Sequence, residues 1–103
     1  MTPDVETAVA TAFREEWGRV VATLIRVTGD WDLAEECAQE AFARALETWP
    51  ASGVPDRPGA WLTTTARNRA IDRLRRATTE AAKLREVAAM EELNAPEAAS
   101  DGS

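Results

Sequence analysis

Trp61, Thr64, Thr65, Asn68, Asp72, Arg75 and Arg76, with Arg69 on their flank, bring an aromatic ring, neutral hydrogen-bonding groups and permanent cations into one short stretch. At 100° per step of a helix they fall on one side. A ring beside arginines, an amide and hydroxyls suits unpaired bases, because the ring supplies a stacking platform and the polar groups hold phosphates or base edges. A tryptophan on the polar side of a basic helix is poorly explained by core packing. Trp61 nevertheless stands in the first turn, where it can also fold back onto Trp49 or the preceding proline loop, and spacing alone leaves both placements open. Covalent chemistry has little to work with. The chain contains no histidine, so no group titrates near neutrality without a perturbed pKa. It has no nucleophile–base pair, Gly-rich phosphate loop or metal-ligand cluster, and the adjacent Glu35 and Glu36 point to different helical faces. The reading is of a protein that is not an enzyme and needs neither cofactor nor metal.

Total charge argues against nucleic acid at first sight, since 103 residues carry a net −6 and the pI is near 4.6. The distribution reverses that inference. Residues 1–56 carry −7, residues 57–85 carry +6 and residues 86–103 carry −5. A basic element between two acidic ones can meet phosphate even in an acidic protein. The same pattern also fits acidic and basic helices that pair with each other.

Composition is that of an all-α chain, rich in Ala, Arg, Glu and Leu, with five Gly and five Pro. The first helix is expected to open at Thr2, with Pro3 in its first turn, and to end at Gly29. Its apolar stripe is Val5, Val9, Phe13, Trp17, Val20, Leu24 and Val27. Asp32 is expected to start the second helix, with Glu35 completing a capping-box-like pair. There Leu33, Cys37, Ala41 and Ala45 form one apolar row, beside Ala38, Phe42, Leu46 and Trp49. Residues 50–59 hold three prolines and two glycines and read as a loop. A third helix from about Ala60 to Arg76 turns Leu62, Ala66, Ala70 and Leu74 inward, with Ile71 at the edge. Arg67 and Arg73 border that arc and are placed to ion-pair with the first two helices. From Ala77 to about Leu93 the chain suits a weaker helical extension, a possible fourth helix, and Asn94–Ser103 has the composition of a disordered acidic tail. The expected division is a helical domain at 1–76 and a linker at 77–103. Cys37 has no disulfide partner, and neither a membrane span nor a secretory signal is present, which suits a soluble protein of the cytoplasm.

Two blocks carry a resemblance. Asp32-Leu-Ala-Glu-Glu-Cys-Ala-Gln-Glu-Ala-Phe-Ala-Arg-Ala-Leu46, then a Pro/Gly loop, then Trp61-Leu-Thr-Thr-Thr-Ala-Arg-Asn-Arg-Ala-Ile-Asp-Arg-Leu-Arg-Arg76, resembles region 2 of bacterial RNA polymerase sigma factors of the extracytoplasmic-function type. With the first helix included, the likeness covers roughly residues 10–76. It implies a compact three-helix region 2 bundle that recognises and helps melt the promoter minus-ten element. In such factors the acidic helix docks on the arginine-rich clamp helices of the polymerase largest subunit, a role that falls here to Glu35, Glu36, Gln39 and Glu40. The third helix holds the non-template strand. By that likeness Trp61 stacks at the junction of duplex and opened strand, Thr64, Thr65 and Asn68 approach bases, and Arg69, Arg75 and Arg76 hold phosphates. The loop Ala51–Gly59 matches the place where the family reads a flipped-out base, which brings in Arg57 and Asp56.

Such factors normally continue into region 4, a helix-turn-helix that reads the minus-thirty-five element. Nothing here resembles that module, which suits a fragment, a truncated product or one half of a split factor. A second reading therefore stands beside the first: a module that binds the polymerase clamp or an anti-sigma factor without recognising a promoter.

Overall fold

The computed structural model describes residues 4–94. Three helices carry them: α1 (Val5–Thr28), α2 (Trp31–Ser52) and α3 (Pro58–Asn94), with no strand among the described residues. The all-α expectation therefore holds. The chain forms two compact units, Met1–Arg73 and Leu74–Ser103.

In the first unit, α1 and α2 are joined by Gly29 and Asp30 alone, so they pack as a helical hairpin. Gly29 ends α1 in the left-handed conformation (φ 68°), and its N–H donates to the Ile25 carbonyl at 2.7 Å. Thr28 fastens the corner, donating to the Leu24 carbonyl at 2.8 Å and accepting from the Asp30 N–H at 3.0 Å. The cap of α2 is Asp30 rather than the expected Asp32. Its Oδ1 accepts from the Leu33 N–H at 3.1 Å, so the helix begins at Trp31, and Asp32 becomes the acidic residue of the first turn.

The expected proline loop is also shorter. Pro50 lies inside α2, which runs on to Ser52 and closes where the Gly53 N–H donates to the Trp49 carbonyl at 2.8 Å. A proline this near the end loses one helical bond, and the angle its ring imposes is already helical. Pro58 then occupies the first turn of α3, the position proline tolerates best. Only residues 53–57 remain outside helices at this corner. Gly59 is held against α1: a Cβ there would come within 2.6 Å of the Glu16 carboxyl carbon.

One core joins all three helices. Val9, Ala12, Val20, Val21 and Leu24 of α1 meet Ala34, Cys37, Ala38, Ala41, Phe42, Ala45 and Trp49 of α2, and Leu62, Ala66 and Ala70 of α3. The inward arc expected for the third helix is buried as read, with Ile71 and Leu74 half-buried. Trp17, expected in the core, is half-buried at its edge, stacked on Phe13 at 4.9 Å and tilted against Phe42 at 5.7 Å. Phe13 and Leu46 depart from their expected stripes and stay 48% and 46% exposed.

From Arg75 to Asn94 every residue is exposed. The separate fourth helix that the sequence suggests is instead part of α3, because residues 77–93 contain neither proline nor glycine. Thr2, Pro3 and the tail from 95 onward lie outside the described residues.

Candidate nucleic-acid interface

Burial of Leu62, Ala66 and Ala70 fixes the rotation of α3 within the first unit and leaves Thr64, Asn68 and Arg69 exposed, with Thr65 and Asp72 half-buried. Thr65, Asn68, Arg69 and Asp72 form one wall of an open cleft of about 400 Å³, and Arg44 of α2 forms the other. Thr64 turns the opposite way. Together with Arg57 it lines a second hollow of about 610 Å³ beside Arg19 and Thr23 of α1. The single polar face read from the sequence is thus divided between two hollows. Arg75 and Arg76 belong to the second unit, where both are exposed.

Trp61 takes an intermediate place. Its ring meets that of Trp49 edge-on, with centroids 5.3 Å apart and planes at 67°, yet it remains only partly buried. Of the two placements open from spacing, contact with Trp49 is the one observed, and it leaves part of the ring accessible. Trp49 itself is buried, with its indole N–H lacking a hydrogen-bond partner.

The four acidic-helix candidates have different environments. Glu35 accepts from the Trp31 indole N–H at 2.9 Å, and Gln39 is exposed. Glu36 and Glu40 face α3 and pair with Arg73, Glu36 at 2.9 Å. Arg69 Nε lies 3.9 Å from Glu40 Oε2, an ion pair too long to be a hydrogen bond. The hydrogen bond to Glu36 raises the pKa of Arg73. Arg73 therefore pairs with the second helix as its border position suggests. Two of the four proposed polymerase contacts, Glu36 and Glu40, also hold α2 against α3. Cys37 lies under this network, and burial pushes its thiol up.

Arg44 escaped the sequence reading. It stands four positions after Glu40 and eight after Glu36, so helical spacing puts it on the same row facing α3. That periodicity was the available signal. No cluster of metal-ligating side chains occurs among the described residues, and none of their helices is long and apolar enough to cross a membrane.

Comparison with known proteins gives a family match and one relative. The family described as Sigma-70 region 2 matches residues 12–80. A protein of Rhizobium meliloti (strain 1021), described as uncharacterized, is 45% identical over 64 residues, which cover 62% of this chain and 15% of the relative. The chain thus spans a small part of that protein's length. No solved structure matches.

Proposed function

The chain belongs to the sigma-70 region 2 family, and from that membership we propose that it binds core RNA polymerase and promoter DNA, and helps to open the minus-ten element during transcription initiation. Its partners are the clamp helices of the polymerase largest subunit and the non-template strand, with an anti-sigma factor as a further partner, in the cytoplasm. The finer assignment to the extracytoplasmic-function type rests on the wording of the two motif blocks. No covalent step is involved. Residues 1–76 act as the recognition module and residues 77–103 as a linker.

The observation that carries this reading is the cleft between α2 and α3, whose walls present Arg44, Thr65, Asn68 and Arg69. In the proposed mechanism Trp61 stacks on a base at the edge of the opened strand while Asn68 and Thr65 approach neighbouring bases from the cleft and Thr64 approaches from the second hollow. Stacking on an aromatic ring is worth about 1 to 3 kcal/mol per base, comparable to the few kcal/mol that extruding a base costs. Capture of the strand then drives opening without a chemical fuel. Arg57, Arg69, Arg75 and Arg76 supply phosphate contacts, and Glu35, Glu36, Gln39 and Glu40 meet the arginine-rich clamp surface.

The contact of Trp61 with Trp49 favours a second reading, in which the ring stabilises the fold and the module binds the clamp or an anti-sigma factor only. Binding of the chain to a clamp-helix fragment and to a labelled minus-ten non-template oligonucleotide separates the two. The first reading expects both to bind, the oligonucleotide with strong salt dependence. It also expects the Trp61→Ala, Arg75→Ala, Arg76→Ala triple variant to lose at least tenfold in oligonucleotide affinity while retaining the clamp fragment, an estimate of about the loss of one stacked base. Oligonucleotide binding undiminished in that variant would leave the clamp-only reading.

A further inference from the structure

We infer that the cleft between α2 and α3 is a base-reading site in which Arg44 holds an unpaired guanine of the opened strand. The inference rests on the DNA-binding reading and adds a residue of α2 to it. Along the facing rows of α2 and α3 the first charges cancel: Glu36 pairs with Arg73, and Glu40 with Arg73 and Arg69. At Arg44 the row changes sign. Among the described residues its guanidinium has no ion-pair or hydrogen-bond partner, and the α3 groups in the same cleft include the neutral Thr65 and Asn68.

The lining selects a base edge over a phosphate. Facing Arg44, the wall of α3 holds the neutral Thr65 and Asn68 and, in Arg69 and Asp72, one charge of each sign, a lining closer to neutral than a phosphate site. The amide of Asn68 and the hydroxyl of Thr65 each offer a donor and an acceptor, as base edges require. A guanidinium presents two parallel N–H groups, and guanine, alone among the bases on the edge that faces the major groove in a duplex, presents two adjacent acceptors, O6 and N7, to match them. In a single strand that edge is open to approach from the side.

The test measures binding of the 103-residue chain to labelled single-stranded oligonucleotides by fluorescence anisotropy. One guanine is walked through a thymine background, and the tightest position is then remade with 7-deazaguanine, which lacks the N7 acceptor. Arg44→Ala is expected to weaken the guanine oligonucleotide by about 5- to 150-fold, the range for losing a bidentate arginine–guanine contact. It should leave the all-thymine oligonucleotide and its salt dependence unchanged. The 7-deaza substitution should weaken the parent and have little further effect on Arg44→Ala. Arg44 is exposed, so the variant is expected to keep its helical circular dichroism.

Equal weakening of both oligonucleotides by Arg44→Ala would make Arg44 a phosphate contact and overturn the inference. Full retention of guanine binding by Arg44→Ala, with loss in Asn68→Ala, would remove Arg44 from the site and leave the DNA-binding reading intact. Absence of oligonucleotide binding by the parent would defeat that reading and this one together.

Discussion

Cys37 shows how a residue's environment becomes measurable. Burial beneath the Glu36–Arg73–Glu40 network raises its thiol pKa, so the folded chain keeps a proton that the unfolded chain releases near the ordinary value of about 8.5. The folded state then binds more protons than the unfolded one, and stability must fall as pH rises. The contribution is fully present below about pH 8.5 and is lost as pH climbs through the raised folded value. Urea midpoints measured from pH 7.5 to 10 should therefore decline more steeply for the parent than for Cys37→Ala. A thiol reagent at pH 8 should modify Cys37 only as fast as the protein opens. Parallel pH profiles for the two proteins would show that the thiol is not shielded. Arg73 stays charged throughout, its pKa raised by the hydrogen bond to Glu36.

At the scale of elements, the two candidate caps of α2 make opposite predictions. Asp30 accepts the Leu33 N–H and Asp32 accepts none, so Asp30→Ala should cost about 1 kcal/mol, the usual loss for a helix cap. Asp32→Ala loses only a carboxylate near the helix N-terminus and should cost less than about half as much. Chemical denaturation of both variants compares them directly, and a larger loss at Asp32 would return the cap to the position read from the sequence. This also marks what was legible. The inward arc of Leu62, Ala66 and Ala70 was readable because helical periodicity and burial are local to one element. Helix boundaries were less so, since a DWD triplet offers two caps and since Pro50 fits a last turn that spacing rules treat as broken. The division of the polar face was not legible. Arg44 comes to line one cleft with Thr65 and Asn68, and Glu40 meets Arg69 and Arg73, only once the register between α2 and α3 is set by their common core.

For the whole molecule, the net −6 conceals segments of −7, +6 and −5, and the fold uses part of that separation internally. Glu36 and Glu40 draw Arg73 and Arg69 toward α2, while Arg44 adds a cation to the cleft from the acidic side. Stability is equally uneven. Among the described residues the buried core lies wholly in the first unit, whereas residues 75–94 are exposed throughout, including Leu84, Val87, Met90 and Leu93. A helical stretch of this length without burial is marginal in water, because propensity alone barely offsets the cost of ordering. Hydrogen exchange followed by mass spectrometry should therefore find amides of 77–94 exchanging much faster than those around Val20–Leu24 and Cys37–Phe42, which should require opening of the core. In urea, protection of the core segments should disappear in one transition, with the 77–94 segment already exchanged before it. Equal protection of the two regions would mean that the end of α3 is held by contacts as strong as those of the core.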